Sequence, residues 1–348
     1  MKIGFFVNDL AREEEHFATT ILANEASRRG HAVCYVTPSD FSFMPDDRLY
    51  VRARFAPKKK FSSYMAFFKA IQDRKLEMRT IDAADLDVLM LRNDPSIDAV
   101  DRPWAEGIGV LFGRIAAEQG VLVLNDPDGL SHATNKLYFQ SFPESLRAPT
   151  LISKDVEAIK RFAREQGDRI VLKPLRGSGG QSVFVIGGEK ASNLNQMIEA
   201  VSRDGYVIAQ AYVPAARAGD IRFFLINGVP LMHKGHYAAF RRTSASDDVR
   251  SNIHAGGTAS KADIGETELA VAEMVRPKLI RDGMFLVGLD IVGDKILEIN
   301  VFSPGGLRNC SRFEGVRFSV AILDAIENKL AIRRQYPGRF SNRDLAVL

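Results

Sequence analysis

No run of about 18 uninterrupted apolar residues occurs in the chain, so no conventional membrane-spanning helix is expected. The opening Met1-Lys-Ile-Gly-Phe-Phe-Val-Asn8 is too short before Asp9 and Arg12 to be a secretory signal and reads as a first β-strand. Cysteine is scarce: Cys34 and Cys310 show neither metal-ligand spacing nor a disulfide framework, and a reducing cytoplasm is the expected setting. Cys34 sits in the apolar strand Ala32–Val36 and reads as a buried thiol, and Cys310 as inert packing. Excess charge is also lacking. A net +4 suits anionic small molecules and is too weak to imply nucleic acid. No Ser/His/Asp, Cys/His or zinc spacing links the histidines, so none of His16, His31, His132, His233, His236 and His254 is assigned to catalysis. No Gly-x-Gly-x-x-Gly follows the first strand and no Gly-x-x-x-x-Gly-Lys-Ser/Thr appears, which removes support for a dinucleotide cofactor and for a Walker P-loop.

At 348 residues, two or three packed modules are expected. The first third alternates strands (Lys2–Val7, Ala32–Thr37, Asp87–Leu91, Val121–Leu124) with helices (around Phe17–Leu22 and Gly107–Gln119), the rhythm of a parallel, Rossmann-like sheet. Between them lies a polar stretch with Lys58-Lys-Lys60, read as a solvated loop or hairpin. The middle changes rhythm. A helix through Val156, Ile159, Phe162 and Ala163 precedes the strand Ile170–Pro174, a glycine-rich turn and the strand Ser182–Ile186. Leu194, Met197, Ile198 and Val201 then have helical spacing, and Tyr206–Val213 is a strand, giving an α+β lobe. Beyond it come the hairpin Arg222–Ile226 with Pro230–His233, a polar lid-like loop over Arg241–Gly257, and helices near Glu266–Arg281 and Val320–Leu330. The arginine-rich tail after Ala331 reads as a frayed or subunit-contacting extension.

Chemistry concentrates in the run Gly288-Leu-Asp-Ile-Val-Gly-Asp-Lys-Ile-Leu-Glu-Ile-Asn-Val-Phe-Ser-Pro304. Asp290, Glu298 and Asn300 interrupt apolar strands, where a bare carboxylate is costly unless compensated. A three-residue loop at Gly293-Asp294-Lys295 would set Asp290 opposite Glu298, and alternation puts Asn300 on the same face. Hard oxygen ligands converging there suit Mg²⁺, with waters or phosphates completing its shell; the bland alternative is a solvated acidic face. In Lys173-Pro-Leu-Arg-Gly-Ser-Gly-Gly-Gln181, Gly177, Gly179 and Gly180 let backbone N–H groups approach an anion, with Lys173 as a point charge. A tight turn alone would also need these glycines. Arg222, Arg241 and Arg250, with Asn252, form a cationic set suited to carboxylate and phosphate, while Arg92 ends a strand where open sheets contact ligands.

These segments occur in order with Asn135-Lys136-Leu137, Ala209-Gln-Ala-Tyr-Val-Pro214, Gly219-Asp-Ile-Arg222, Val249-Arg-Ser-Asn252 and Ala255-Gly-Gly257. Together they resemble the ATP-grasp ligases, and within them the prokaryotic-type glutathione synthetases, over nearly the whole chain to about Leu330. The resemblance implies an α/β fold: a Rossmann-like N-terminal domain (1–124) followed by a two-lobed α+β ATP-grasp module, its small lobe at 125–208 and its catalytic lobe at 209–332, with a basic tail at 333–348. It implies that Lys136 and Lys173 contact ATP phosphates, and that Gly177, Ser178, Gly179, Gly180 and Gln181 close over them. Gln210, Ala211, Tyr212 and Val213 would line the adenine pocket, and Asp290, Glu298 and Asn300 would hold Mg²⁺, with Mn²⁺ as a substitute. Arg222, Arg250 and Asn252 would act in catalysis, and Arg92, Arg241, Ser303, Gly305 and Gly306 would meet the substrates.

The implied reaction phosphorylates a peptide carboxylate, and an amine then expels phosphate from the acyl phosphate, needing positioning and charge but no protein nucleophile. γ-Glutamylcysteine and glycine are the leading pair. Alternatives are another pair, as in the RimK-like protein-glutamylating branch, or a nucleotide-binding regulator without turnover. A cytoplasmic homo-oligomer acting on small molecules, without nucleic acid or membrane partners, is expected. Gly305-Gly-Leu-Arg-Asn309 replaces the family's usual Thr-Cys-Ile-Arg-Glu, and Arg92-Asn-Asp-Pro-Ser96 its Arg-Lys-Asp-Pro-Pro. Both departures fall at expected substrate contacts rather than ATP contacts.

Overall fold

The computed structural model describes residues 1–73, 75–167, 169–177, 182–187, 193–203, 205–243 and 257–348. The chain begins with β1 (Lys2–Phe6), α1 (Ala18–Arg28), β2 (Ala32–Val36), β3 (Phe41–Phe43), β4 (Leu49–Phe55), α2 (Tyr64–Ile71) and β5 (Met78–Asp82). It continues through β6 (Val88–Leu91), α3 (Pro95–Asp101), α4 (Ile108–Glu118) and β7 (Leu122–Leu124). These strands make one sheet in the order β3-β4-β2-β1-β6-β7, with β5 also on β4. β2, β1, β6 and β7 are parallel and, apart from Lys2 at the start of β1, without charged side chains, as strands covered on both faces tend to be. The polar stretch after β2 is not simply a loop. It supplies an antiparallel extension in which Leu49, Val51, Ala53 and Phe55 are buried, while Arg52 and the intervening residues face outward. The outward polar residues hide this strand from a reading based on apolar runs.

The small lobe follows: α5 (Pro127–His132), β8 (Thr150–Ser153), α6 (Val156–Glu165), β9 (Ile170–Pro174), β10 (Phe184–Ile186), α7 (Leu194–Ser202) and β11 (Val207–Ala211). Its sheet runs β10-β9-β11-β8, and Ile159, Ala163, Ile198 and Val201 of the two long helices bury its inner side chains. Because β11 extends to Ala211, the expected division at 208/209 falls inside a strand.

The C-terminal lobe, the one expected to be catalytic, contains β12 (Asp220–Ile226), β13 (Val229–Pro230), β14 (Met232–His233), β15 (His236–Tyr237), β16 (Ala239–Thr243) and β17 (Thr258–Ser260). After these come α8 (Glu266–Arg281), β18 (Leu286–Val292), β19 (Lys295–Asn300), α9 (Leu307–Glu314), α10 (Phe318–Gln335) and α11 (Asn342–Val347). The main sheet has the order β17-β16-β12-β18-β19. Val271, Val275 and Leu279 of α8 pack with Phe223, Leu225 and Leu289 in one apolar cluster. Phe224, Phe240, Phe318 and Ile322 belong to a second cluster that also holds Phe5 and Ile21, so this lobe and the N-terminal domain share a core. No helix among the described residues is long and apolar enough to cross a membrane.

The tail, expected to be a frayed or subunit-contacting extension, is not frayed. α10 continues to Gln335, and α11 buries Leu345 and Ala346. Asn342 accepts from the Val123 N–H at 2.8 Å and donates to the Val123 carbonyl at 3.0 Å, so its amide pairs with β7 as another strand would.

Candidate active site

Strand parity builds the site. Across the catalytic sheet Arg222 lies opposite Asp290 and opposite Phe240, Asp220 lies opposite Arg242, Asp290 lies opposite Glu298, and Gly288 lies opposite Asn300. Directly paired residues share a face, so Asp220, Arg222, Arg242, Asp290, Glu298 and Asn300 point the same way. The opposition of Asp290 and Glu298 was anticipated, but the geometry behind it differs. The turn holds only Gly293 and Asp294, with Val292 paired to Lys295, and a bulge between Asp290 and Ile291 restores the offset by leaving Leu297 unpaired.

Asp290 is 3% exposed, and both its carboxylate oxygens meet guanidinium groups. Arg222 donates to it from Nε and, at 3.0 Å, from Nη2, while Arg242 Nη2 stands 2.8 Å from Oδ2. Arg242 also pairs with Asp220, its Nε at 3.1 Å. Burial alone would raise the Asp290 carboxyl, but Arg222 and Arg242 outweigh it and hold the group below its ordinary value. Arg222 Nη1 donates to the Gly305 carbonyl at 2.9 Å. The next residue, Gly306, has φ +102°, and a Cβ there would come within 2.4 Å of the Phe240 ring, so only glycine fits. Gly305 has open space where a side chain would stand.

Facing this arrangement is a cavity of about 160 Å³ between the small lobe and β19. Lys136, Lys173, Gly177 and Gln210 line one side, Glu298, Asn300 and Ser303 the other, and Asp94 and Ser96 of the N-terminal domain close the mouth. Lys173 Nζ donates to Gln210 Oε1 at 3.0 Å, and Gln210 is itself held by Thr150 at 3.2 Å. Burial pushes the Lys173 ammonium down to about 8, opposed by Glu298 and assisted by nearby Lys136. Lys136, which donates to the Gly177 carbonyl, is lowered by burial as well. Two partly desolvated cations beside acidic side chains form a ready receptor for phosphates carrying a metal ion.

The donor set also fits such a metal. Among the described residues no three His, Cys, Asp or Glu side chains converge. Two carboxylates and an amide oxygen on one face instead match a hard cation that takes further ligands from phosphate and water. Asn300 Nδ2 lies 3.4 Å from Asp290 Oδ2, with Glu298 half-buried beside them.

Several expected residues lie elsewhere. Arg241 is on the opposite face of the sheet and, among the described residues, donates to the Ala218 carbonyl at 3.5 Å; neighbouring Arg242 has the inward position. Two consecutive arginines on a strand must diverge, and only the register tells which faces the site. Arg92 is buried in the N-terminal domain and donates to the Phe302 carbonyl at 3.3 Å and the Pro304 carbonyl at 3.2 Å. Its guanidinium is thus committed to shaping the loop after β19 rather than free for a ligand. Burial lowers it to about 10, against the pull of Glu13. Ala211, Tyr212 and Val213 do not line the cavity, and Tyr212 instead stacks under Arg169 at 4.1 Å. Ser178, Gly179, Gly180, Gln181, Arg250 and Asn252 lie outside the described residues. Cys34 and Cys310 are buried, with burial raising both thiols, Cys34 to about 12, as inert cysteines should be.

A family model for the prokaryotic glutathione synthetase N-terminal domain matches residues 1–131, and one for the prokaryotic glutathione synthetase ATP-grasp domain matches residues 135–315. The glutathione synthetase of Vibrio parahaemolyticus is 30% identical over 336 residues, covering 95% of this chain and 99% of the relative. That of Agrobacterium fabrum is 34% identical over 314 residues, 90% of this chain and 91% of the relative. Among solved structures, D-cycloserine synthetase DcsG superposes with a TM-score of 0.60 at 16% identity, covering 93% of this chain and 100% of its own. A RimK domain ATP-grasp protein from Sphaerobacter thermophilus gives 0.56 at 17% identity, covering 93% and 98%. At such identities the structures speak for the fold alone. By the two successive domain matches and the near full-length relatives, the chain belongs to the prokaryotic glutathione synthetase family and has the ATP-grasp fold of an ATP-dependent carbon–nitrogen ligase that uses a divalent metal ion.

Proposed function

We propose that the chain joins γ-glutamylcysteine to glycine at the expense of ATP and Mg²⁺, giving glutathione, ADP and phosphate. The observation that carries this reading is the meeting of Lys136 and Lys173 with Glu298 and Asn300 in one cavity. It is supported by family matches that extend through the N-terminal domain as well as the ATP-grasp module.

In this reading Lys136 and Lys173 hold the ATP phosphates, Gln210 marks the edge of the adenine pocket, and Asp290, Glu298 and Asn300 hold the metal. Mg²⁺, when bound, offsets the charge that develops as the γ-phosphoryl group moves. One donor carboxylate oxygen forms a bond to the γ-phosphorus as the bond to ADP breaks. The amine then attacks the acyl carbon, and phosphate departs with that oxygen. Arg222 and Arg242, already fixed on Asp290, present guanidinium charge beside the transferring group. Arg250, Asn252 and the 178–181 segment keep the roles implied by the family resemblance. The enzyme is read as a cytoplasmic homo-oligomer.

ADP release with ATP and Mg²⁺, measured across a matrix of dipeptide donors and amine acceptors, tests the substrate assignment. Turnover confined to γ-glutamylcysteine with glycine is the expected result. Turnover only with other pairs would replace that substrate assignment, and none across the matrix would contradict ligase activity.

A further inference from the structure

Asn125 stands at the seam between the N-terminal domain and the catalytic lobe, one residue past the end of β7. Its side chain is buried, and both its polar atoms serve the catalytic lobe's backbone. Oδ1 accepts from the Leu286 N–H at 2.8 Å. Nδ2 donates to the Leu286 carbonyl at 3.2 Å and to the Val301 carbonyl.

Leu286 opens β18 and is flanked on one side by Ile226 of β12. On the other side β19 reaches only as far as Asn300, opposite Gly288. Two positions further in that register Phe302 would stand against Leu286, but the chain leaves the ladder after Asn300. The Asn125 amide fills the missing rung. It offers one acceptor and one donor as a peptide group would, and its second N–H holds Val301 where the strand departs. Arg92, also from the N-terminal domain, grips the carbonyls of Phe302 and Pro304 just beyond.

The hairpin carrying Asp290, Glu298 and Asn300 is therefore fixed at both ends. Its closed end is the Gly293–Asp294 turn, and its open end is tied through Asn125 to the sheet of another domain. Asn300 is the residue immediately before Val301. We propose that Asn125 is a positioning residue for the reaction, setting the spacing of Asp290 against Glu298 and Asn300 from outside the catalytic lobe. This inference rests on the reading of the hairpin as the metal site.

The test uses Mn²⁺ as the probe, its binding to the full chain in the presence of ADP followed by electron paramagnetic resonance. Asn125→Asp keeps the acceptor for Leu286 but loses both donated bonds, and Asn125→Ala loses all three. Both variants should bind Mn²⁺ about tenfold more weakly, the scale seen when partners behind metal ligands are removed. Metal-free ADP binding should stay unchanged, and kcat should fall more than the KM for ATP rises. Variants that melt earlier yet bind Mn²⁺ like wild type would reduce Asn125 to an ordinary packing residue and overturn the proposal. Should neither variant fold, Asn125→Ser retains one hydroxyl, and the same comparison on it decides. Glu298→Gln is the control. If it keeps wild-type Mn²⁺ affinity, the metal reading itself fails. If it loses Mn²⁺ while Asn125→Asp keeps it, only the positioning role fails.

Discussion

Asp290 is a counter-ion in the fold and a metal ligand in the proposed function, and the two roles separate by mutation. In the fold it neutralises the buried Arg222 and shares Arg242 with Asp220. Asp290→Asn leaves guanidinium charge under-compensated in the interior, which costs about 3–5 kcal/mol when one partner of a buried pair is removed. Urea denaturation should show that loss, together with abolished ligation. Glu298 is half-buried and, among the described residues, has no ion-pair partner, so Glu298→Gln should abolish ligation while leaving the denaturation midpoint nearly unchanged. Equal midpoints for the two variants would contradict the counter-ion role. Lys173 gives a pH test. Its ammonium, lowered to about 8 by burial, is charged below that value and neutral above it. Metal-free ADP should therefore bind more weakly as pH rises through about 8, read by titration calorimetry, and Lys173→Arg should remove the step because arginine stays charged to about 12. A wild-type profile without that step would contradict the assignment. At this scale a polar side chain breaking an apolar run, as at Asp290, Glu298 and Lys173, marked positions that the fold pairs in register or sets on one cavity. The sequence was silent on Arg242, because adjacent arginines look alike until the pairing of Arg222 with Phe240 decides which one faces inward.

Among the elements, strong apolar periodicity marked α6, α7, β1, β6 and the acidic hairpin within a residue or two of their observed bounds. β3, β4 and β5 fall in the stretch read only as a loop or hairpin, because polar side chains interrupt their apolar runs, and β8 was missed because its four residues are all half-buried. The bulge in the hairpin could not be read, since a three-residue turn and a two-residue turn with an extra residue in β19 give the same opposition of Asp290 and Glu298. α11 escaped for a different reason: its docking combines two buried side chains, Leu345 and Ala346, with one amide, Asn342, completing the edge of β7, contacts that a six-residue segment does not advertise. Asn342→Ala leaves the Val123 N–H and carbonyl without those bonds and should cost about 1–3 kcal/mol in urea denaturation. An unchanged midpoint would mean that α11 is only loosely attached.

For the whole molecule, the shared core matters most. Phe5 and Ile21 of the N-terminal domain lie in one apolar cluster with Phe224, Phe318 and Leu323, while the small lobe has a cluster of its own around Ile159 and Ile198. The acidic hairpin and the N-terminal domain thus form one frame; Lys173 approaches it from the separately packed lobe, while Lys136 stands beside Tyr138 and Phe139, which belong to the frame's core. That division suits a ligase whose acyl phosphate must form with water excluded. The order of modules was legible because alternating strands and helices give way to an antiparallel lobe; the shared core was not, because no local pattern reports contacts between distant segments. The central claim is that a donor carboxylate is phosphorylated before the amine attacks. Labelling the glycyl-accepting carboxylate of γ-glutamylcysteine with oxygen-18 and analysing the released phosphate by mass spectrometry tests it most directly. One labelled oxygen should appear in each phosphate formed with glutathione, and phosphate free of label during productive turnover would contradict the account.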